Sequence, residues 1–401
     1  MRRRRSCRRC SRVISRSAPC RTCPRRWRGS REVDRAVLGI DRRSIQNFDW
    51  TLLALVALLS AAGLVNLYSA TWVPDGISDE MRRQLISFGI GAAVAVLCIA
   101  IDYRHFERFA APAFAAVLVV IAITMVIAQN TRGSQSWLFG GRVQPSELAK
   151  VALVLALARY FQRYPPGQTT RLRDLARPGA IIALPVGLIL GQHDMGVALL
   201  TLLIGGTYLF LVRIPWRAWF GVAVLGAASL VALWTFVLAP YQKERILTVV
   251  DPDRDPLASG FQSAQSRIAI GSGGLLGTGY REGTQTQLRF LPAQHTDFAF
   301  SVLAEEWGFV GSCAALSLYA TMLIWGLVVA RSSKDEFGAL LAIGVVGSLF
   351  WPAVLNVAMV VGLAPVIGVP LPLFSYGGSA LVVTFALLGL LMNVSMRRYV
   401  F

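Results

Sequence analysis

Long apolar stretches alternate with short polar breaks along most of this chain. Residues 51–74, 84–101, 109–131, 195–212, 218–242 and 307–330 contain no Asp, Glu, Lys or Arg, and residues 337–396 contain none either. About 20 mostly apolar residues make one bilayer-spanning helix, so each of the first six stretches predicts one span. The last is long enough for two, divided where Pro365, Pro370 and Pro372 remove backbone donors and clash with helical geometry. Two weaker runs, 146–163 and 178–192, complete a predicted set of ten spans. The expected fold is therefore an all-α polytopic membrane protein. Between the predicted seventh and eighth spans lies one long segment, residues 240–297, which breaks the apolar pattern. It holds a helix-like run over 261–270, then a glycine-rich turn, then a return into the membrane at Phe298.

Composition agrees: of 401 residues, 55% are hydrophobic and 15% charged, against about 25% charged in soluble proteins. The net charge of +18 is a property of one end. Residues 1–46 hold sixteen Arg against Glu32, Asp34 and Asp41, a net of +13, which leaves +5 for the remainder. Nucleic-acid recognition calls for a basic surface on a folded domain, and none is expected here. The tail reads as a disordered basic cytoplasmic segment near anionic lipid headgroups, or as the product of a start codon placed too far upstream. Its Cys7, Cys10, Cys20 and Cys23 form two C-x-x-C pairs, a zinc-ligand pattern at a gap shorter than usual. Cys98 and Cys313 fall within spans and are expected to pack in the core.

Basic residues favour alternate loops: Arg104 and Arg108; Arg171, Arg173 and Arg177; Arg213 and Arg217; Arg331 and Lys334; Arg397 and Arg398; the other short loops hold Arg82 and Arg83, then Arg132 and Arg142, and none in 191–194 or 363–375. By the positive-inside rule both termini are expected in the cytoplasm, with segment 240–297 outside.

With no soluble catalytic domain, chemistry must sit on helix ends and loops. Four constellations stand out. The first is Leu291-Pro292-Ala293-Gln294-His295-Thr296-Asp297-Phe298, leading to Glu305 and Glu306. Partial desolvation where loop meets membrane suits Asp297 to general-base work; the competing reading makes it a helix cap. On a continuous helix Glu305 would lie about 80° round from Asp297, and an intramembrane carboxylate usually faces a cavity or a partner, here expected to be a cation. The second is Gln144-Pro145-Ser146-Glu147-Leu148-Ala149-Lys150, where Lys150 contacts a diphosphate or pairs with Glu147 three residues away. The third, residues 271–279, is rich in glycine but has no βαβ context for nucleotide binding, so tight backbone turns are expected. Residues 283–287, including Gln285, follow it as a polar stretch able to face a sugar. The fourth is residues 365–379, Pro/Gly-rich and carrying Ser375 and Tyr376. Such backbone at membrane depth is tolerated only when buried or lining a cavity, so it is expected to form a cavity wall, with Asn356 and Met359 beside it.

These motifs, in this order, resemble the SEDS (shape, elongation, division and sporulation) family over roughly residues 50–400. The resemblance is carried by Asp251-Pro252, Gln262-Ser263, residues 268–274, Gly283-Thr284-Gln285, Leu291-Pro292, His295-Thr296-Asp297-Phe298, Ala304-Glu305-Glu306, the Q-P-S-E-L-A-K run and the P-L-F-S-Y-G-G-S run. Residues 368–372 and Glu306-Trp307-Gly308 are closer to the RodA branch than to the FtsW branch. The resemblance implies a ten-helix fold and a peptidoglycan glycosyltransferase that polymerises lipid II during elongation, with Asp297 as the catalytic aspartate. It also implies binding of the lipid-linked nascent glycan, a class B penicillin-binding protein as partner, and association with the elongation machinery. Charge on the leaving diphosphate would be met by Lys150, Arg142, Arg245, Arg267 or a divalent cation, Mg or Mn, and the sequence does not choose among them. Trp137, Asp194, Gln262, His295 and Thr296 join the candidate substrate-binding set. Two positions depart from the family pattern: Ser136-Trp137 replaces an Arg-Trp pair, and Gln192-His193-Asp194 replaces Q-P-D. A lipid II flippase, an FtsW-like division polymerase and a scaffold for the penicillin-binding protein are the alternatives.

Overall fold

A computed structural model describes residues 47–74, 76–128, 136–138, 143–166, 172–212, 216–251 and 259–398. The expected tail with its four cysteines lies outside them, as do Arg142, Arg171, Arg213 and Pro252. The helices are α1 (Trp50–Ala70), α2 (Asp79–Ala100), α3 (Tyr103–Ile127), α4 (Leu148–Arg163), α5 (Ala176–Gly191), α6 (Met195–Leu209), α7 (Trp216–Ala232), α8 (Pro240–Val250), α9 (Ser259–Gly273), α10 (Thr284–Gln287), α11 (Ala299–Ser332), α12 (Glu336–Val360) and α13 (Gly378–Arg397). Each predicted span coincides with a helix. Among the described residues, seven helices are long and apolar enough to cross a membrane. The shorter α5 and α6 are apolar, with 16 and 15 residues.

Burial separates the bundle into a centre and a lipid-facing rim. In α12 and α13, 67% and 78% of the most apolar window is buried, whereas in α7 none is. A helix apolar all round yet unburied needs lipid around it. The core runs through α4, α12 and α13, with Phe161, Tyr208, Phe337 and Phe374 among its largest fully buried side chains. Cys98 is half-buried on α2, while Cys313 is exposed on α11. The expectation of core packing is therefore corrected for Cys313, because α11 turns that face outward.

α11 is 34 residues long, about 51 Å at helical rise and more than a bilayer core requires. It breaks at Gly308, whose φ of 65° and ψ of −161° are not helical. The glycine-rich turn after α9 fills the break. Thr278 and Gly279 donate backbone N–H groups to the carbonyls of Glu305 and Glu306, at 2.9 and 3.2 Å. In return Phe309 and Val310 donate to the carbonyls of Gly274 and Leu275, at 2.9 and 3.1 Å. The groups orphaned by the break are thereby satisfied. A Cβ on Gly273 would stand 2.0 Å from the Ala304 carbonyl oxygen, and one on Gly277 would stand 2.1 Å from that of Glu306. These glycines serve close backbone packing, as expected from the sequence.

At the end of the bundle opposite Asp297, polar side chains lock helix ends together. Asp49 caps α1 through the Leu52 N–H at 3.0 Å and accepts from Trp325 Nε1 and Ser395 Oγ. Arg397 bridges to Asp102 at 3.1 Å. Asn393 donates to carbonyls at the α2–α3 junction, Cys98 at 2.5 Å among them. These contacts join α1, α2, α3, α11 and α13.

Candidate active site

Asp297 lies in the last turn of loop before α11. The cap position of that helix belongs to Phe298, which makes no side-chain cap bond, so Asp297 does not hold it. Because α11 begins at Ala299, helical phase cannot be counted from Asp297, and the expected 80° relation to Glu305 does not apply. The loop is tied on three sides. Gln294 Nε2 donates to the carbonyl of Ala70 on α1 at 2.8 Å, and Asn66 Nδ2 on α1 donates to the carbonyl of Ala299 at 2.9 Å. Tyr376 donates its N–H to the His295 carbonyl at 2.8 Å, with the two rings edge to face at 5.7 Å. On α12, Asn356 Nδ2 donates to the carbonyls of Asp297, at 2.8 Å, and Val369, at 2.7 Å. A Cβ on Gly368 would sit 3.8 Å from Asp297 Oδ2. Within the segment 365–379, expected as a cavity wall, Gly368, Val369 and Tyr376 thus lie beside the loop that carries the aspartate.

That wall is itself built from fixed turns. Ser375 Oγ accepts the Leu371 N–H at 2.9 Å. Gln84, buried on α2, donates to the Ser375 carbonyl and accepts the Gly377 N–H, both at 3.2 Å. Arg245 on α8 donates to the Val366 carbonyl at 3.2 Å, which places a cation on the rim. Arg267 packs its aliphatic stem near Gly362, where a Cβ would meet its Cδ at 3.4 Å. Gly196 at the start of α6 lies so close to Ile367 that a Cβ would stand 2.6 Å from its carbonyl oxygen. Next to it, Asp194 caps α6 through the Val197 N–H at 3.2 Å and accepts from Gln144 Nε2 at 2.6 Å. Burial raises its carboxyl above the ordinary aspartate range, and the bonds from Val197, Ser136 and Gln144 only partly offset this. Proline is therefore not needed before Asp194 to fix it: His193 takes a φ of 59°, and the cap bond sets the approach.

The other candidates separate into distinct groups. Lys150 Nζ binds both oxygens of Glu147, at 2.8 and 2.7 Å, with both side chains buried. The pair lines a cavity of about 30 Å³ with Ser348, Ser375 and Thr384, room for water rather than a sugar. Of the two roles open to Lys150, pairing is the one observed. Glu305, fully buried, accepts from the backbone N–H of Gln285 and from the N–H and hydroxyl of Thr286. The expected cationic partner is replaced by three neutral donors, so Glu305 latches the backbone of residues 285–286 to α11. Glu306 accepts from Ser69 Oγ on α1. Gln262 is half-buried on α9, Thr296 folds its hydroxyl back onto the Ala293 carbonyl at 3.2 Å, and Trp137 is half-buried beside buried Ser136. Two amides inside predicted spans escaped sequence reasoning: Asn66, which ties α1 to the loop, and Gln84, which holds the wall. Their signal was present, because a polar side chain inside an apolar span is expensive and needs a reason.

The chain's similarities agree with this arrangement. A sequence model of the FtsW/RodA/SpoVE family, described as cell cycle protein, matches residues 49–400. The peptidoglycan glycosyltransferase MrdB of Escherichia coli K12 is 40% identical over 352 residues, covering 86% of this chain and 93% of MrdB. A solved chain from a peptidoglycan synthase complex that coordinates polymerization and crosslinking is 37% identical, with a TM-score of 0.75, covering 88% of this chain and 98% of that one. The rod shape determining protein RodA of Thermus thermophilus is 33% identical with a TM-score of 0.65, at the same coverage. With the family model spanning nearly all of the apolar chain, this protein belongs to the FtsW/RodA/SpoVE family of polytopic membrane proteins.

Proposed function

We propose that this protein is a peptidoglycan glycosyltransferase that polymerises lipid II at the outer face of the cytoplasmic membrane, with Asp297 as general base. One observation carries the assignment of the base: Asp297 is held by its backbone at a loop–helix junction without occupying the cap position, its carboxylate lying against a glycine in the Pro/Gly-rich wall. The reaction class draws support from the 40% identity to MrdB. The donor sugar is α-linked to a lipid diphosphate and the product is β-linked, so one inverting displacement suffices. Asp297 takes the proton from the acceptor 4-hydroxyl, that oxygen bonds to the donor C1, and the C1–O bond to diphosphate breaks with its electrons going to the phosphate. Cationic groups stabilise that leaving charge. Arg245 and Arg267, on the rim beside residues 362–366, suit this role better than Lys150, which is neutralised by Glu147. Among the described residues no three His, Cys, Asp or Glu side chains gather to hold a metal; magnesium is commonly held by one or two carboxylates together with the substrate's own phosphates.

The wall, Asp297 and the N-terminal ends of α4 and α6 share one end of the bundle, which the positive-inside rule assigns to the outer face with both termini cytoplasmic. A flippase would need polar groups lining both halves of a path. Those at the opposite end, Asp49, Asp102 and Asn393, are engaged in helix locks. A role in elongation rather than division draws on the similarity to MrdB and RodA. A class B penicillin-binding protein is the proposed partner, in line with the likeness to a chain of a synthase complex.

The test is polymerisation of purified lipid II in liposomes, with the cognate penicillin-binding protein added, by wild type and Asp297→Asn. Polymer from wild type and none from the folded variant is the expected result. Equal polymer from both would remove Asp297 as base, and a silent wild type would favour transport or scaffolding.

A further inference from the structure

We infer that Asn356 is a positioning residue that sets the catalytic geometry of Asp297 relative to the wall at Gly368 and Val369. This deepens the proposed mechanism and rests on Asp297 being its base.

Asn356 is fully buried on α12, a turn before that helix ends. Its amide has two N–H donors. One goes to the carbonyl of Asp297 and the other to that of Val369. The orientation of the amide is settled by chemistry, because the opposite flip would aim an oxygen at two carbonyl oxygens. A single side chain therefore links two loops far apart in sequence: one carries Asp297, and the other carries Gly368, the residue across from its carboxylate. Val369 directly follows Gly368, so the clamp fixes both sides of this approach. Gly368 itself has a φ of 73°, a turn conformation that glycine adopts without steric cost. The other ties on this loop differ in kind. Asn66 holds Ala299 to α1 and does not touch the wall.

Reaction rates depend steeply on placement: a misplacement of about 1 Å can lower them on the order of 100-fold. Loss of the clamp should therefore lower kcat. It should leave substrate affinity nearly unchanged, because the amide's protons face the protein backbone.

The experiment compares Asn356→Leu, Asn356→Asp, Asn393→Leu, Asp297→Asn and wild type, each as the full chain with its penicillin-binding protein in liposomes. The lipid II concentration is varied, and melting is followed in detergent. Leu keeps the branching of Asn but has no donor, and Asp keeps the shape with at most one O–H donor in place of two N–H groups. The expected result is a kcat lowered by about 100-fold in whichever Asn356 variants fold, with KM within about twofold and melting no lower than that of Asn393→Leu, which removes a buried amide tie at the opposite end of the bundle and keeps most of its kcat. Wild-type kcat in a folded Asn356 variant overturns the inference, and so does an equal loss of kcat in Asn393→Leu, which would make the effect one of losing any buried amide tie. Should neither Asn356 variant fold, Asn356 is a stability residue and the inference also fails. A silent Asp297→Asn beside a normal Asn356→Leu removes this inference alone, whereas an active Asp297→Asn removes the base on which it rests.

Discussion

Thr286 presents both its backbone N–H, at 3.1 Å, and its hydroxyl, at 2.7 Å, to the same carboxylate oxygen of Glu305, while Gln285 gives its N–H to the other oxygen at 2.8 Å. The carboxylate closes the start of α10 against α11, and Gly283 is packed so tightly that a Cβ would lie 2.7 Å from its Cδ. Hydrogen bonds to a charged group contribute about 1.5–3 kcal/mol. Glu305→Ala should therefore destabilise the protein by about 3 kcal/mol, read as a lowered melting temperature in detergent. Glu305→Gln, which keeps one accepting oxygen, should fall between. A neutral Glu305→Ala would mean that the latch contributes nothing.

The break in α11 predicts opposite outcomes for two glycines. Gly308→Ala places a Cβ 2.3 Å from the Gly277 nitrogen at a φ of 65°, and should cost about 3 kcal/mol or more through strain and overpacking. Gly271 lies inside α9, and the position a Cβ would take there has nothing within 4 Å. At that site Ala should stabilise by about 0.5–1 kcal/mol, since glycine loses more backbone freedom on folding. Melting curves of the two variants decide both signs.

The buried Lys150–Glu147 pair predicts non-additivity. Lys150→Met leaves a carboxylate buried without its cation, which typically costs about 3–5 kcal/mol. Adding Glu147→Gln removes the stranded charge and should restore most of the loss. A double variant no more stable than Lys150→Met would show that the two side chains are not energetically coupled.

Asp194 predicts a pH slope. Its folded-state carboxyl titrates above the ordinary aspartate range, so the folded protein keeps a proton that the unfolded chain has released. Its contribution to stability should therefore fall as pH rises from the ordinary aspartate value through the raised one. Asp194→Asn should flatten that part of the profile. An unchanged slope in the variant would place the titration elsewhere.

Much of this protein could be read from its residues one after another. Eight of the ten predicted spans became helices because a charge-free run of bilayer length has few alternatives in lipid: backbone groups there must pair within the segment; the weaker runs 146–163 and 178–192 became helices as well. The wall at residues 365–377 was legible for a related reason, since Pro370 and Pro372 cannot continue a helix and Gly368 and Gly377 favour turns. Asp297 was legible as a carboxylate where loop returns to membrane.

What the one-dimensional pattern could not decide was pairing. Lys150 could have met a diphosphate or Glu147, and only the packing of α4 shows the ion pair. Glu305 could have sought a cation, but the turn holding Thr286 supplies neutral donors instead. Asn356, Gln84 and Gln144 lie 59, 291 and 50 residues from partners they bond, a separation that local periodicity does not register. Sequence alone determined which segments enter the membrane, because transfer into lipid depends on composition summed over about 20 residues. Tertiary structure decided which polar groups meet, because a hydrogen bond depends on distances of about 3 Å that only the folded bundle sets.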